Sequence, residues 1–399
     1  MIISSWGNFP KSNSKSLAFS SKQEARALLF KQVSTITYGN GRSYGDSALA
    51  ECVLHSRKMD NFLDFDKEQG IIKVQAGVLL SEILQITVPH GWFLLVTPGT
   101  KLITVGGALA SDVHGKNHHI AGCFSESVQE FDLLLANGEV KTVLPGEDLF
   151  HATCGGMGLT GVILNVTLRL KKIQSQSIKQ TTIKTTNLAE TFSAFEQYRD
   201  QPYSVAWIDC LAKGERLGRG LLKVGDFIKD GDLNYQEQPK KMVPFNLPSF
   251  VLNKWSVQVF NRWYYHKAAN GISQQQVDID SFFYPLDAIH HWNRIYGKNG
   301  FIQYQFILPK AQSFSGLEEI LTAVAASGKG SFLAVLKLYG PANNNWLSFP
   351  LEGYSLALDF KIEPGLFPLL ERLDEIVVRH QGRFYLDKDA RVSKAIFEV

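Results

Sequence analysis

The run Gly106-Gly107-Ala108-Leu109-Ala110-Ser111-Asp112-Val113-His114-Gly115-Lys116-Asn117-His118-His119 constrains this chain more than any other stretch. Its paired glycines are expected in a turn, where backbone can approach a ligand closely. Small residues follow, and then His-Gly-Lys-Asn-His-His brings imidazole, amide and one fixed cation within six positions. That set suits a large anionic cofactor with a ring. Glycine N–H groups serve phosphate, and imidazole and amide serve the ring edge. Taken alone, the segment also admits a Gly-rich loop with a chance histidine cluster, for instance a metal site, as the lesser alternative.

Other glycine-rich turns share its neighbourhood. Gly39-Asn40-Gly41-Arg42-Ser43-Tyr44-Gly45-Asp46 follows a strand expected over 34–38, Thr97-Pro98-Gly99-Thr100 precedes the central run, and Gly155-Gly156-Met157-Gly158-Leu159-Thr160-Gly161-Val162-Ile163 enters an apolar strand. The first is neither a Rossmann fingerprint, because no βαβ unit follows it, nor a Walker A loop. Together the turns describe a cofactor lying extended through one β-rich region and touched by several loops.

A chain of 399 residues is long for one core, so two domains are expected, and the composition turns polar near Lys171. Strands are predicted over 34–38, 53–55, 71–75, 140–143 and 162–170, with an Asn137-Gly138 hairpin. Helices are predicted over 79–90 and 148–153. Beyond Lys171, helices over 188–199, 317–326 and 366–380 alternate with strands over 204–209, 301–308, 332–339 and 354–360, which suits a second sheet with helices on one face. A formal charge of +3 without a Lys/Arg stripe excludes a nucleic-acid footprint. Cys52, Cys123, Cys154 and Cys210 form no CxxC pair and are expected as buried thiols of a reducing compartment. The start MIISSWGNFPKSNSKS lacks an apolar h-region and no run is long enough to span a bilayer, so a cytoplasmic protein, peripheral at most to the inner membrane face, is expected.

The order of these motifs resembles the FAD-binding (PCMH-type) domain of the vanillyl-alcohol oxidase/p-cresol methylhydroxylase superfamily. Within it, residues 114–119 resemble the decaprenylphosphoryl-β-D-ribose 2′-oxidase family. So do Ser204-Val205-Ala206-Trp207-Ile208-Asp209, Trp292-Asn293-Arg294-Ile295-Tyr296-Gly297, Phe301-Ile302-Gln303-Tyr304-Gln305-Phe306, Lys337-Leu338-Tyr339-Gly340-Pro341 and Tyr385-Leu386-Asp387-Lys388-Asp389, in the same order along nearly the whole chain. The resemblance implies an α+β, two-domain flavoprotein. Residues 1–175 would form the FAD-binding domain, rejoined by 383–399, and 176–382 a substrate domain of antiparallel sheet and helices. It implies FAD held by Gly39, Asn40, Gly41, Arg42, Ser43, Tyr44, Gly45, Gly99, Thr104, Val105, Gly106, Gly107, Ser111, Asp112, Val113, His114, Asn117, Gly161, Ile163 and Tyr385. Lys388, His114, Tyr44 and Gln305 would act in catalysis, and Lys116, Lys337, Gln303 and Phe283 would meet substrate. The activity implied is oxidation of C2′ of a polyprenyl-phosphate ribose, the first half of an epimerisation to arabinose for cell-envelope polysaccharide. A short-chain-dehydrogenase-type reductase would be the partner.

Three departures from the family pattern stand out. Arg42 occupies the place where covalent relatives carry a histidine bonded to the flavin, so non-covalent FAD is expected. Ala357 replaces the family's active-site cysteine, the point of attack of covalent inhibitors, which hydride transfer does not need. The family continues past the position of Lys388 into a further helical segment, whereas this sequence reaches Val399. An oxidase of free sugars or aldonolactones on the same fold, and an inactive flavin-binding paralogue, are the alternative readings.

No metal site is expected from His55, His90, His151, His266, His290, His291 or His380. His118 and His119 are expected to orient their loop, and Trp207 to pack in the core. Asp209 and Asp359 are expected to bond lysines or end strands. Residues 240–267 interleave Phe245, Phe250, Trp255, Phe260 and Trp263 with Lys240, Lys241, Lys254, Arg262 and Lys267. That pattern fits either a membrane interface or a buried helix.

Overall fold

A computed structural model describes residues 1–237 and 240–398. In the N-terminal part, Lys15–Ala18 and Ile36–Tyr38 flank Cys52–His55 in a three-stranded parallel sheet. A six-stranded antiparallel sheet follows in the order Val140–Val143, Val128–Leu134, Val162–Lys172, Ile71–Gln75, Phe62–Asp66, and Trp92–Leu94 pairs with the far end of Val162–Lys172. The Asn137-Gly138 hairpin forms, with Gly138 at φ 83 in the left-handed region that glycine tolerates. Alternation sends Ile72, Val74, Val166 and Leu168 into a core shared with Leu80, Ile83 and Leu84 of the helix Leu80–Thr87.

The second sheet is fully antiparallel and eight-stranded. Its order is Ile272–Asp278, Ser177–Thr185, Gly220–Phe227, Tyr203–Ile208, Ala334–Tyr339, Gly353–Lys361, Phe301–Pro309, Arg383–Phe384. The polar segment after Lys172 therefore becomes a strand, despite a composition that also fitted a linker. Register assigns each side chain a face, because strand periodicity is two. Ile302, Tyr304, Phe306, Leu336, Leu356 and Leu358 share one face and pack on the helices Lys310–Ser327 and Leu366–Arg379. The other face carries Gln303 beside Asp359, Gln305 beside Ala357, and Lys337 beside Ser355.

Two expectations need correction. Gly106 and Gly107 lie not in a turn but inside the helix Val105–Ala110, whose N-cap Thr104 accepts a hydrogen bond from Gly107 N–H. Glycine is required because a Cβ on Gly106 would stand 2.9 Å from Ala76 Cβ. The helix Lys310–Ser327 also starts well before 317, since its first two turns hold Phe314 as their one large apolar residue and gave no apolar period.

A charged clasp joins the two sheets' surroundings. Lys101, only 1% exposed, reaches both oxygens of Asp280 at 2.8 and 2.7 Å and the Tyr235 hydroxyl at 2.7 Å. Asp287 accepts from Thr100 Oγ1 and Lys101 N–H. A lysine so enclosed is stable only when its charge is paired and its protons are all directed at acceptors.

Candidate active site

The first glycine loop, the helix Val105–Ala110 and the turn before Val162–Lys172 converge on one groove of about 1120 Å³, mouth included. Gly39, Asn40, Gly41, Arg42, Ser43, Gly45, Thr104, Gly106, Gly107, Ser111, Val113, Gly161, Ile163 and Lys388 line it. Among the described residues, the backbone N–H groups of residues 39–43 donate to no protein acceptor. Five successive free donors along a groove form an anion cradle.

The groove's opposite wall comes from the far end of the chain. Asp387 accepts at its carbonyl from Tyr44 N–H, Gly45 N–H and Ser43 Oγ, and at Oδ1 from Ser111 Oγ. Asp46 N–H donates to the Asp389 carbonyl. Gly45 is needed because a Cβ there would meet Asp389 O at 2.2 Å. These bonds set Lys388 in the wall, its Nζ 2.8 Å from Asp387 Oδ2 and 4.4 Å from the centre of the Tyr44 ring.

The remaining expected residues lie around the groove rather than in its lining. Tyr385 donates its hydroxyl to the Ser111 carbonyl, Asn117 donates to Leu95 O, and Val105 is buried in the core. Gly99 sits between the lining residues Pro98 and Thr100. Asp112 faces away from the groove. Its φ is 40°, and it accepts from Ser125 N–H, Asn343, Asn345 and Ser348, tying the helix end to the loop after Tyr339.

His114 is packed among Tyr339, Phe349 and Tyr385. Gln305 Nε2 donates to its Nε2 at 3.2 Å, which leaves the imidazole proton on Nδ1, a buried N–H with no partner. Burial, with Lys337, His118 and Lys388 nearby, holds this imidazole well below the usual histidine range, so it is neutral. An orphaned buried donor beside a five-donor cradle fits the ring edge and pyrophosphate of FAD. Burial likewise pushes the Tyr44 phenol well up, keeping it a hydroxyl donor.

Two buried lysines lie near one another, Lys337 on the polar sheet face and Lys116 in the loop after Val113. Lys116 donates to the Phe283 carbonyl at 3.0 Å, and the Phe283 ring itself packs in the core against Phe93 and Tyr203. Burial first, then Lys337 and Lys223, lowers Lys116 to about 7, and burial and Lys388 lower Lys337 to about 8. Among the described residues neither lysine has a carboxylate within ion-pair distance. Buried cations that repel one another ask for an anion.

Asp209 bonds Arg219 and Asn261 rather than a lysine, and Trp207 is core, donating to Phe332 O. Asp359 accepts from Gln303 Nε2 at 2.7 Å, while its other oxygen has no partner. Asp359 was expected to bond a lysine or end a strand, and Asp387 stood in a motif without a role of its own; register and a long-range return give them, and Ser355, their place. Burial raises Asp359 to about 7, against Gln303 and Lys388 pulling it down. With an unfolded value of about 4, the folded state holds an extra proton between pH 4 and 7, so its stability falls as pH rises through that window. Asp359→Asn is therefore expected to raise the melting temperature relative to wild type at pH 8 and to lose that advantage at pH 4. A constant difference across pH would contradict the assignment.

All four cysteines are buried and free, and among the described residues no group of three or more His, Cys, Asp or Glu side chains is placed to hold a metal. His118 accepts from Gly340 N–H, and His119 Nε2 meets Gln201 O, which orients their loop.

The FAD binding domain family matches residues 23–144. Decaprenylphosphoryl-β-D-ribose oxidase of Mycolicibacterium smegmatis is 36% identical over 380 residues, spanning 91% of this chain and 82% of that protein. L-gulonolactone oxidase of Mus musculus is 33% identical over 136 residues, 33% of this chain and 30% of its own. The solved structure of Physcomitrella patens BBE-like 1 shares the fold, with a TM-score of 0.65 at 15% identity over 96% of this chain and 84% of that one. With a cradle suited to FAD and a full-length relative at that identity, this chain belongs to the decaprenylphosphoryl-β-D-ribose oxidase family and carries its FAD-binding domain.

Proposed function

We propose that this protein is an FAD-dependent oxidoreductase that converts C2′ of a polyprenyl-phosphate ribose to the ketone. The observation that carries the reading is the unpaired Lys116–Lys337 cluster at the polar sheet face, alongside Lys388 and His114. Those lysines hold the phosphodiester by charge-assisted hydrogen bonds. Gln305 and Ser355, in contact at 3.4 Å, offer hydrogen bonds to ribose hydroxyls. Bound FAD supplies a two-electron acceptor for hydride. The groove walls hold the sugar carbon against the ring and keep water out, which is where most of the rate comes from. A separate short-chain-dehydrogenase-type reductase returns the ketone with inverted configuration and completes the epimerisation to the arabinose derivative. Because the substrate is lipid-linked, the protein contacts the inner membrane face peripherally. Among the described residues, no helix is long and apolar enough to cross a membrane.

Anaerobic mixing with a farnesylphosphoryl-ribose analogue is expected to bleach the flavin. Bleaching by a free aldonolactone alone would favour the sugar-oxidase reading, and bleaching by neither would leave an inactive paralogue.

FAD is bound without a covalent link. Arg42, where covalent relatives place histidine, is stacked 3.9 Å from the centre of the Trp6 ring. Acid precipitation is expected to leave the yellow colour in the supernatant, and colour retained in the pellet would contradict this.

A further inference from the structure

The helix Lys254–Lys267 is neither a buried helix nor a free one. Val257, Asn261 and Tyr265, spaced by four, face inward, where Asn261 donates to Asp209 and Tyr265 to the Thr185 carbonyl. The opposite row is apolar and open, with Trp255 75%, Val259 68% and Trp263 55% exposed, and Phe250 at 76% extends the row before the helix begins. Phe245 and Met242 are also exposed. Single exposed apolar side chains are ordinary, but an open apolar row along one helix calls for something to cover it.

Charge decides what covers it. From 240 to 277 the sequence contains no Asp or Glu but has Lys240, Lys241, Lys254, Arg262 and Lys267, five cations in a chain whose total is only +3. Lys254 and Arg262 stand one position from Trp255 and Trp263, so basic groups border the apolar row. Lys240 is paired with Glu237 at 3.1 Å, but among the described residues Lys241, Lys254, Arg262 and Lys267 have no carboxylate within ion-pair distance. Aromatic rings bordered by such cations match an anionic lipid surface. The patch is also tied to the site. Arg294 donates to Val243 O and Pro244 O, and from the same turn Trp292 and Tyr296 pack on Phe301, which meets Tyr44.

We infer that the Trp255–Val259–Trp263 face of this helix, with Phe250, is the surface by which the protein docks on an anionic bilayer. The inference rests on the lipid-linked substrate reading and adds to it the face, the orientation and the lipid charge. The helix lies in the headgroup plane, with residues 257, 261 and 265 holding it to the substrate sheet.

The test uses the FAD-loaded protein and sedimentation with vesicles of phosphatidylglycerol and phosphatidylcholine, against phosphatidylcholine alone. Wild type is expected to bind the anionic vesicles more tightly, with affinity falling as salt rises. The Phe250→Ser/Trp255→Ser/Trp263→Ser variant is expected to lose about tenfold or more of that binding. Lys254→Gln/Arg262→Gln is expected to lose about fivefold per cation, on anionic vesicles only. Quenching of wild-type tryptophan fluorescence by brominated phosphatidylglycerol gives a reading that needs no variant to fold. Equal vesicle binding by wild type and the triple variant overturns the inference, as does wild type that ignores anionic vesicles. So does a wild-type dimer that the triple substitution dissolves without any effect of lipid, because a second copy would then cover the face. If vesicle binding behaves as expected but no lipid-linked ribose bleaches the flavin, the docking surface stands and the substrate reading falls.

Discussion

Lys388→Met is expected to slow flavin reduction by substrate by about a hundredfold or more, the scale on which a preorganised charge-stabilising group acts. Lys388 is fixed in the groove wall by Asp387 and lies over Tyr44, so its ammonium is positioned before reaction. With FAD bound, that cation would stabilise negative charge on the reduced ring without reorganisation. FAD affinity is expected to change little, since the free donors of residues 39–43 are untouched. Stopped-flow reduction together with a flavin titration separates the two effects. Near wild-type reduction would remove Lys388 from the mechanism.

The double substitution Lys116→Gln/Lys337→Gln is expected to lower kcat/KM for a phosphodiester substrate by about a hundredfold or more, because each hydrogen bond to a charged group contributes about 1.5–3 kcal/mol. The loss belongs mainly in KM, whereas the Lys388 effect belongs in the reduction rate. There is a pH signature too. Both lysines are cations below their lowered values, about 7 and about 8, and neutral above them. Substrate affinity of the wild-type protein is therefore expected to weaken as pH rises from 7 to 9, and the double variant to lose that slope. A wild-type KM flat over this range, or a variant with unchanged KM, would detach these lysines from the phosphate.

That Gly39–Gly45, Gly106, Gly107 and Gly161 share one groove was legible, because residues that must be small or must donate are written locally, although Gly106 and Gly107 stand in a helix and not in the expected turn. Strand positions near residues 71–75 and 301–308 were legible from apolar alternation. Register was not, and register is what brings Asp359 beside Gln303 and Lys337 beside Ser355. Asp112 shows the same limit. Its place in the motif suggested cofactor contact, yet a left-handed φ turns it toward Asn343, Asn345 and Ser348, residues more than two hundred positions away. Phe283 was expected to meet substrate, and its carbonyl and ring both lie against Lys116, at 3.0 Å and at 5.6 Å from the ring centre. For the helix Lys254–Lys267, composition could not decide between core and surface. A four-residue period did, once it was known which row faces Asp209.

The Ser43–Asp387 bond joins positions 344 apart in the chain, so the two walls of the groove are written at opposite ends of the message. Closing so long a loop costs entropy before the contact repays it. Neither wall stands without the other, so retention of FAD is expected to report on the joint folding of both regions and not on the glycine loops alone.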